Sequence, residues 1–249
     1  VLGRYPVRHT FNLVPSMLMQ LDEYEGGRTD ELERLTMIPA VDLQDSQKAA
    51  LARWASTVQR DTMVRPLPRY DELFDALSTN ATEQFDEQMW RDVQVLVNLA
   101  WLGPVTRRGS ALATELILQG RNFNEEQKRA LITFHHEVMR DVVPTFLQYE
   151  REGLFEISIT PYHHPILPLV IDSDVAHESM PTVELPSPAY RAPDHARRHI
   201  RRALDDWKTR SGHRPQGMWP AEGSLSMSAL DLLAEHGVVW TATDEDVLQ

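Results

Sequence analysis

The sequence predicts an α/β fold, a parallel sheet interrupted by a helical insertion, and three observations predict it. Strand-like runs alternate with helical segments toward both ends of the chain. Between them, from about residue 29 to residue 120, apolar residues recur at helical spacing with no convincing strand. Polar residues also gather where the strand-like runs end, the place where α/β folds display functional side chains.

Residues 7–13 (Val-Arg-His-Thr-Phe-Asn-Leu) are rich in β-branched and aromatic side chains and read as a strand. Pro15-Ser16 opens an amphipathic helix through Tyr24, with Met17, Leu18 and Leu21 on one face and Gly26-Gly27 closing it. Segments 46–60 and 84–102 are helical, the second placing Trp90, Val93, Val97 and Trp101 on one side. Residues 124–150 read as one long helix, with Leu131, Phe134, Val138, Val142 and Phe146 three and four apart. Pro144 should kink it or end its ladder. An alternating strand follows at 154–160, and residues 181–194 form a proline-rich excursion. Helix 194–210 carries Arg197, Arg198, Arg201, Arg202, Asp205 and Asp206, most simply a solvated face. A final helix ends at Gly237, and 238–243 (Val-Val-Trp-Thr-Ala-Thr) reads as another strand. Strands separated by helices imply a parallel sheet.

With 249 residues, 42% hydrophobic and 25% charged, one large domain or barrel is feasible. A net charge of −12 argues against a nucleic-acid partner and suits a neutral, hydroxyl-rich ligand. The absence of cysteine excludes disulfides and thiolate chemistry. No apolar stretch reaches membrane-span length, so a soluble, cytoplasmic protein without a membrane partner is expected. Val1 and Gln249 both read as cut ends.

Three strand ends hold the candidate site residues: Asn12; then Tyr162, His163 and His164; then Trp219 and Glu222, with Asp244 and Glu245 after the next strand. Glu222 lies in Gly-Met-Trp-Pro-Ala-Glu-Gly-Ser, residues 217–224, preceded by an aromatic residue and a proline and followed by glycine. That setting suits a rigidly held, sugar-facing nucleophile. The simpler alternative is a carboxylate that accepts hydrogen bonds from the amides opening the next helix. Adjacent histidines on an extended chain point to opposite sides, so they rarely share a metal, and a third ligand would have to be Asp172 or Asp174. The competing role is an imidazole donating to a substrate hydroxyl. His135 and His136 inside a helix, and His195 and His199 on the charged helix, read as packing and surface.

Residues 155–168, a strand followed by Thr-Pro-Tyr-His-His-Pro-Ile-Leu-Pro, resemble the second conserved region of glycoside hydrolase family 57, the α-amylase-like and α-glucan-acting enzymes. Residues 217–224 resemble the third region, in which the glutamate is the nucleophile. Asn12-Leu13-Val14-Pro15-Ser16, Asn98-Leu99-Ala100-Trp101 and Thr241-Ala242-Thr243-Asp244-Glu245 are also similar to family members. The resemblance spans nearly the whole chain. It implies that 1–249 is the central part of a catalytic domain, an incomplete (β/α)7-type barrel with 30–120 as helical elaboration, and that no cofactor or metal is needed.

It further implies retaining hydrolysis or transfer of α-glycosidic bonds, with Glu222 as nucleophile and a second carboxylic acid about 5 Å away. The family's opening His-Gln-Pro-Tyr region would precede Val1 and its acid would follow Gln249, so the chain alone is expected to be silent on unactivated glucans. Asp244 does not match the acid's motif and is expected among the substrate-binding residues. His164, held extended by Pro165, is expected to donate to a sugar hydroxyl, with His163 turned into packing. Tyr162 and Trp219 are expected to cover the apolar face of a sugar ring. A non-catalytic carbohydrate-binding or regulatory homologue, and a metal-dependent polysaccharide deacetylase, are the other readings. The deacetylase would need an Asp with spaced histidines, which the sequence does not offer.

Overall fold

A computed structural model describes residue 5 and residues 7–245 of the chain. The first strand, β1 (His9–Leu13), leads into helix α1 (Pro15–Glu25). Seven helices follow: α2 (Glu31–Met37), α3 (Asp45–Ser56), α4 (Pro68–Thr79), α5 (Glu87–Trp101), α6 (Pro104–Gly109), α7 (Ala111–Gln119) and α8 (Glu125–Arg140). Then come α9 (Val142–Arg151), β2 (Phe155–Ile159), the short α10 (Leu167–Ile171) and α11 (Ala176–Ser179), the long α12 (Pro193–Ser211) and α13 (Met227–Glu235). The chain divides into two compact units: residues 24–141, and the flanking segments 1–23 and 142–249. The fold is α/β, mostly helical, with a small parallel sheet.

The long helix expected over 124–150 is two helices. Pro144 has no N–H to give the carbonyl four residues back, and its ring crowds that carbonyl. That carbonyl belongs to Arg140, the last residue of α8, and Pro144 becomes the third residue of α9. At the other end of α8, Asn124 and Gln127 exchange side-chain and backbone hydrogen bonds in a capping box.

The sheet places the candidate site. β1 and β2 pair in parallel, from His9 opposite Phe155 to Leu13 opposite Ile159. β2 continues the order with a bridge from Ile159 to Met218, and Gly217 bridges in turn to Trp240, both parallel. The strand expected over 238–243 is therefore a single bridge at Trp240. The four segments run in chain order, and among the described residues they do not close into a barrel. β2 alternates at first and is then buried at Ile157, Ser158 and Ile159, as suits a parallel strand covered on both faces. Ile159, Met218, Leu13, Leu18, Ile200, Leu204, Trp207 and Leu233 form the core around it. On its outward side, Glu156 accepts a 2.8 Å hydrogen bond from the Trp240 indole.

The helical unit has a core of its own. α5 is buried from Val93 to Ala100 and carries Val93, Leu96, Val97 and Leu99 into it. Lys128 on α8 is fully buried. Burial pushes its pKa down, yet its Nζ reaches Glu125 at 2.7 Å, the Ile38 carbonyl at 2.8 Å and Gln94 Oε1 at 3.0 Å. An ammonium so placed is tolerable because every donor has an acceptor.

Gly217 allows the last bridge to form, because a Cβ there would lie 2.2 Å from the Trp240 indole. Gly217→Val should destabilise the chain by about 1–3 kcal/mol, the usual range for overpacking. Urea unfolding followed by far-UV circular dichroism would read this as a lower midpoint at unchanged slope. An unchanged midpoint would mean that the indole does not seat against Gly217.

Candidate active site

The candidate residues converge at the carboxyl end of β2. Beyond Ile159 the chain turns tightly, with the His164 N–H donating to the Pro161 carbonyl at 2.7 Å. The turn is tied down on two sides. The Tyr162 carbonyl accepts from the Ser16 N–H at 3.1 Å, and the Tyr162 N–H donates to the His199 carbonyl at 3.2 Å. The Trp219 N–H donates to the Ile159 carbonyl at 2.8 Å, which brings the 217–224 segment onto the same strand end.

Three residues later Glu222 arrives beside His164, with Nδ1 and Oε1 3.8 Å apart. That separation is longer than a hydrogen bond. The Glu222 side chain is 73% exposed and that of His164 34%. Both residues have left-handed backbones, with φ of 57° at His164 and 55° at Glu222. The extended backbone expected of His164 before Pro165 is therefore not what forms. His164 is the last residue of the turn closed by the Pro161 carbonyl and leaves it with a positive φ, against the pre-proline preference. The Glu222 turn is closed by Gly223 N–H to the Pro220 carbonyl at 3.0 Å, and the Thr243 hydroxyl donates to the Gly223 carbonyl at 2.6 Å. Left-handed non-glycine residues are strained, and they persist where surrounding contacts over-determine them, often at functional sites.

The alternative that Glu222 caps the next helix is not what the structure adopts. Ser226 is the N-cap of α13, and its side chain accepts from the Ala229 N–H at 3.2 Å. Trp219 is 38% exposed beside this turn. Asp244 is exposed, and its backbone nitrogen lies within 4 Å of where a Cβ on Gly223 would stand. Glu245 is exposed as well, and Asn12 accepts from the Ser158 hydroxyl at 3.1 Å across the strand pair.

Tyr162, expected in a cleft wall, is 3% exposed. The Arg202 guanidinium lies 3.7 Å over its ring and donates to its hydroxyl at 3.0 Å, so in this conformation the ring is a packing element. His163, expected to turn into packing, is exposed instead, edge-on to Tyr162 and His199. With Tyr162, His195, Arg198, His199 and Arg202 it lines a pocket of about 260 Å³. Burial and the neighbouring cationic groups hold the His199 pKa below its usual value. In the sequence these helix residues read as a solvated face, although their 195, 198, 199, 202 spacing marks one stripe. Among the described residues no three His, Asp or Glu side chains stand as a metal would need. No helix among them is long and apolar enough to cross a membrane.

The profile of glycosyl hydrolase family 57 matches residues 11–248, nearly the full chain. The chain belongs to this family. A solved structure similar to this family 57 chain is the novel alpha-amylase AmyC from Thermotoga maritima, at 15% identity and a TM-score of 0.33. The similarity covers 80% of this chain and 35% of that one, so the chain spans about a third of the length of that enzyme. No curated protein sequence matches it.

In this family 57 chain the strain at Glu222 is measurable apart from any chemistry. Glu222→Gly and Glu222→Ala remove the same carboxylate, but only glycine relaxes the positive φ. The glycine variant should be the more stable of the two by about 1 kcal/mol. Equal unfolding free energies would show that the turn is not left-handed in solution.

Proposed function

We propose that the chain carries the nucleophile of a retaining glycoside hydrolase or glucanotransferase acting on α-glucans, and that its sheet is part of a larger (β/α)7-type barrel. The observation that supports this best is Glu222 itself. It is an exposed carboxylate in a left-handed turn at the carboxyl end of a parallel strand, 3.8 Å from His164, in a family 57 chain.

A retaining reaction has two displacements. The Glu222 carboxylate attacks the anomeric carbon, the bond to the leaving oxygen breaks, and that oxygen takes a proton from a general acid. Water then attacks the glycosyl ester, or a sugar hydroxyl does so in transfer, giving its proton to the carboxylate of the general acid and freeing Glu222. The acid's place in the family pattern lies well beyond Thr243-Asp244-Glu245, and we assign that role to no described carboxyl. His164 donates a hydrogen bond to a sugar hydroxyl at the same subsite. Trp219 covers a C–H face of the ring, Asp244 accepts from a hydroxyl at the rim, and Tyr162 acts behind them by bracing the turn.

In the intact enzyme, Glu222→Gln keeps the shape of the side chain and removes the attacking charge. Turnover of a maltooligosaccharide should fall by roughly a thousandfold or more, ~4 kcal/mol of transition-state stabilisation. Near-normal turnover would rule Glu222 out as nucleophile.

His164→Ala should lower kcat about ten- to a hundredfold with a smaller change in KM, because a bond to a hydroxyl of the reacting ring strengthens as charge develops. Steady-state kinetics on one substrate with both variants separates these effects. A rise in KM alone would reduce His164 to a ground-state contact.

A further inference from the structure

The helical unit holds a cavity of about 310 Å³, at the small end of the range for ligand sites, and nothing proposed for Glu222 uses it. Tyr24, Trp54 and Trp101 contribute aromatic walls. Trp101, in the last turn of α5, is 52% exposed, an unusual placement for a tryptophan on a helix whose preceding residues are buried. Trp54 is fixed by donating its indole N–H to Glu31 at 2.9 Å, and Tyr24 by donating its hydroxyl to Asp30 at 2.5 Å.

The polar lining is unbalanced toward acceptors. Asn98 lies one turn before Trp101, and its Nδ2 donates to the Thr36 hydroxyl at 2.9 Å and the Gln94 carbonyl at 2.7 Å. Its Oδ1 is left without a donor among the described residues. His135 sets its Nε2 3.1 Å from the Asn98 backbone carbonyl, so Nε2 carries the proton. Its Nδ1 then accepts, and burial keeps the imidazole neutral. Glu33 meets His136 Nε2 through Oε1 at 2.9 Å, and its Oε2 has no donor among the described residues. Three acceptors beside aromatic faces suit a ligand with an apolar face and hydroxyl donors at its edge. The carboxylates of Glu33 and Asp30 disfavour an anion.

We infer that residues 24–141 carry a second saccharide site, in which one pyranose ring lies against Trp101 and Trp54 and donates hydroxyls to Glu33 Oε2, Asn98 Oδ1 and His135 Nδ1. The pyranose class follows from the lining. Naming an α-glucan as its polymer rests on the function proposed above.

The test is isothermal titration of maltoheptaose, and separately of cellohexaose, into the full chain bearing Glu222→Gln, so that no sugar is turned over. Adding Trp101→Ala should weaken maltoheptaose binding about tenfold or more, while Trp101→Phe, which retains an aromatic face, should stay within about threefold of the parent. Both variants should melt with the parent, because the indole is half exposed. Trp101-dependent binding of cellohexaose but not of maltoheptaose would uphold the site and overturn the α-glucan reading. Maltoheptaose binding of equal strength with and without the Trp101 ring would overturn the site and leave the role of Glu222 standing. Binding of neither oligosaccharide at millimolar concentration would overturn the site as well, whereas the Glu222 assignment is decided by turnover.

Discussion

Everything at the candidate active site depends on one strand being paired on both edges. Ile159 closes β2 with Leu13 on one side and Met218 on the other. Its N–H donates to the Gly217 carbonyl at 3.3 Å, its carbonyl accepts from Trp219, and the Thr160 N–H donates to the Leu13 carbonyl at 3.0 Å. These groups are buried, and a buried backbone group left unpaired costs about as much as a lost hydrogen bond. The register is therefore held against slippage. A slip of one residue would also turn Met218, which is fully buried, out of the core. With that register in place, Glu222 has little freedom to be anywhere but over the turn that carries His164.

The turns themselves are held from outside. His164 and Glu222 occupy a region of backbone space that side chains with a Cβ avoid, and neither loop would hold it alone. Ser16 and His199 fasten the first turn through its backbone, and Thr243 fastens the second through the Gly223 carbonyl. Arg202 adds a lid of packing over Tyr162. Residues from three separated stretches of chain thus fix the backbone of both turns in advance. The displacement proposed for Glu222 would draw on such preorganisation.

The helical unit solves a different problem. It buries α5 from Asp92 to Ala100, and the polar residues of that stretch must then find partners inside. Gln94 donates to the carbonyls of Leu35 and Ile38 and accepts from Lys128, and Asp92 accepts from Arg69, Gln88 and the Phe123 amide. A network satisfied to this degree specifies one packing of the helices. It also leaves the last turn of α5, where Trp101 emerges, on a rigid base.

The sequence alone determined what depends on near neighbours. Helical periodicity located α3, α5, α12 and α13 to within a few residues, because the 3.6-residue repeat is set by the chain itself. Two short motifs marked the stretches holding His164 and Glu222, and the family match over residues 11–248 bears out that resemblance. Run 238–243 has strand composition, yet only Trp240 pairs, since strand propensity becomes a strand only where a partner edge is offered. His164 leaves, with a left-handed backbone, a turn anchored on residues 16 and 199, and Tyr162 is packed under an arginine forty residues away. The cavity walled by Tyr24, Trp54 and Trp101 joins side chains from three helices. Local preference could not foretell these, because each is decided by hydrogen bonds and packing between residues far apart in the chain, which only the tertiary structure brings together.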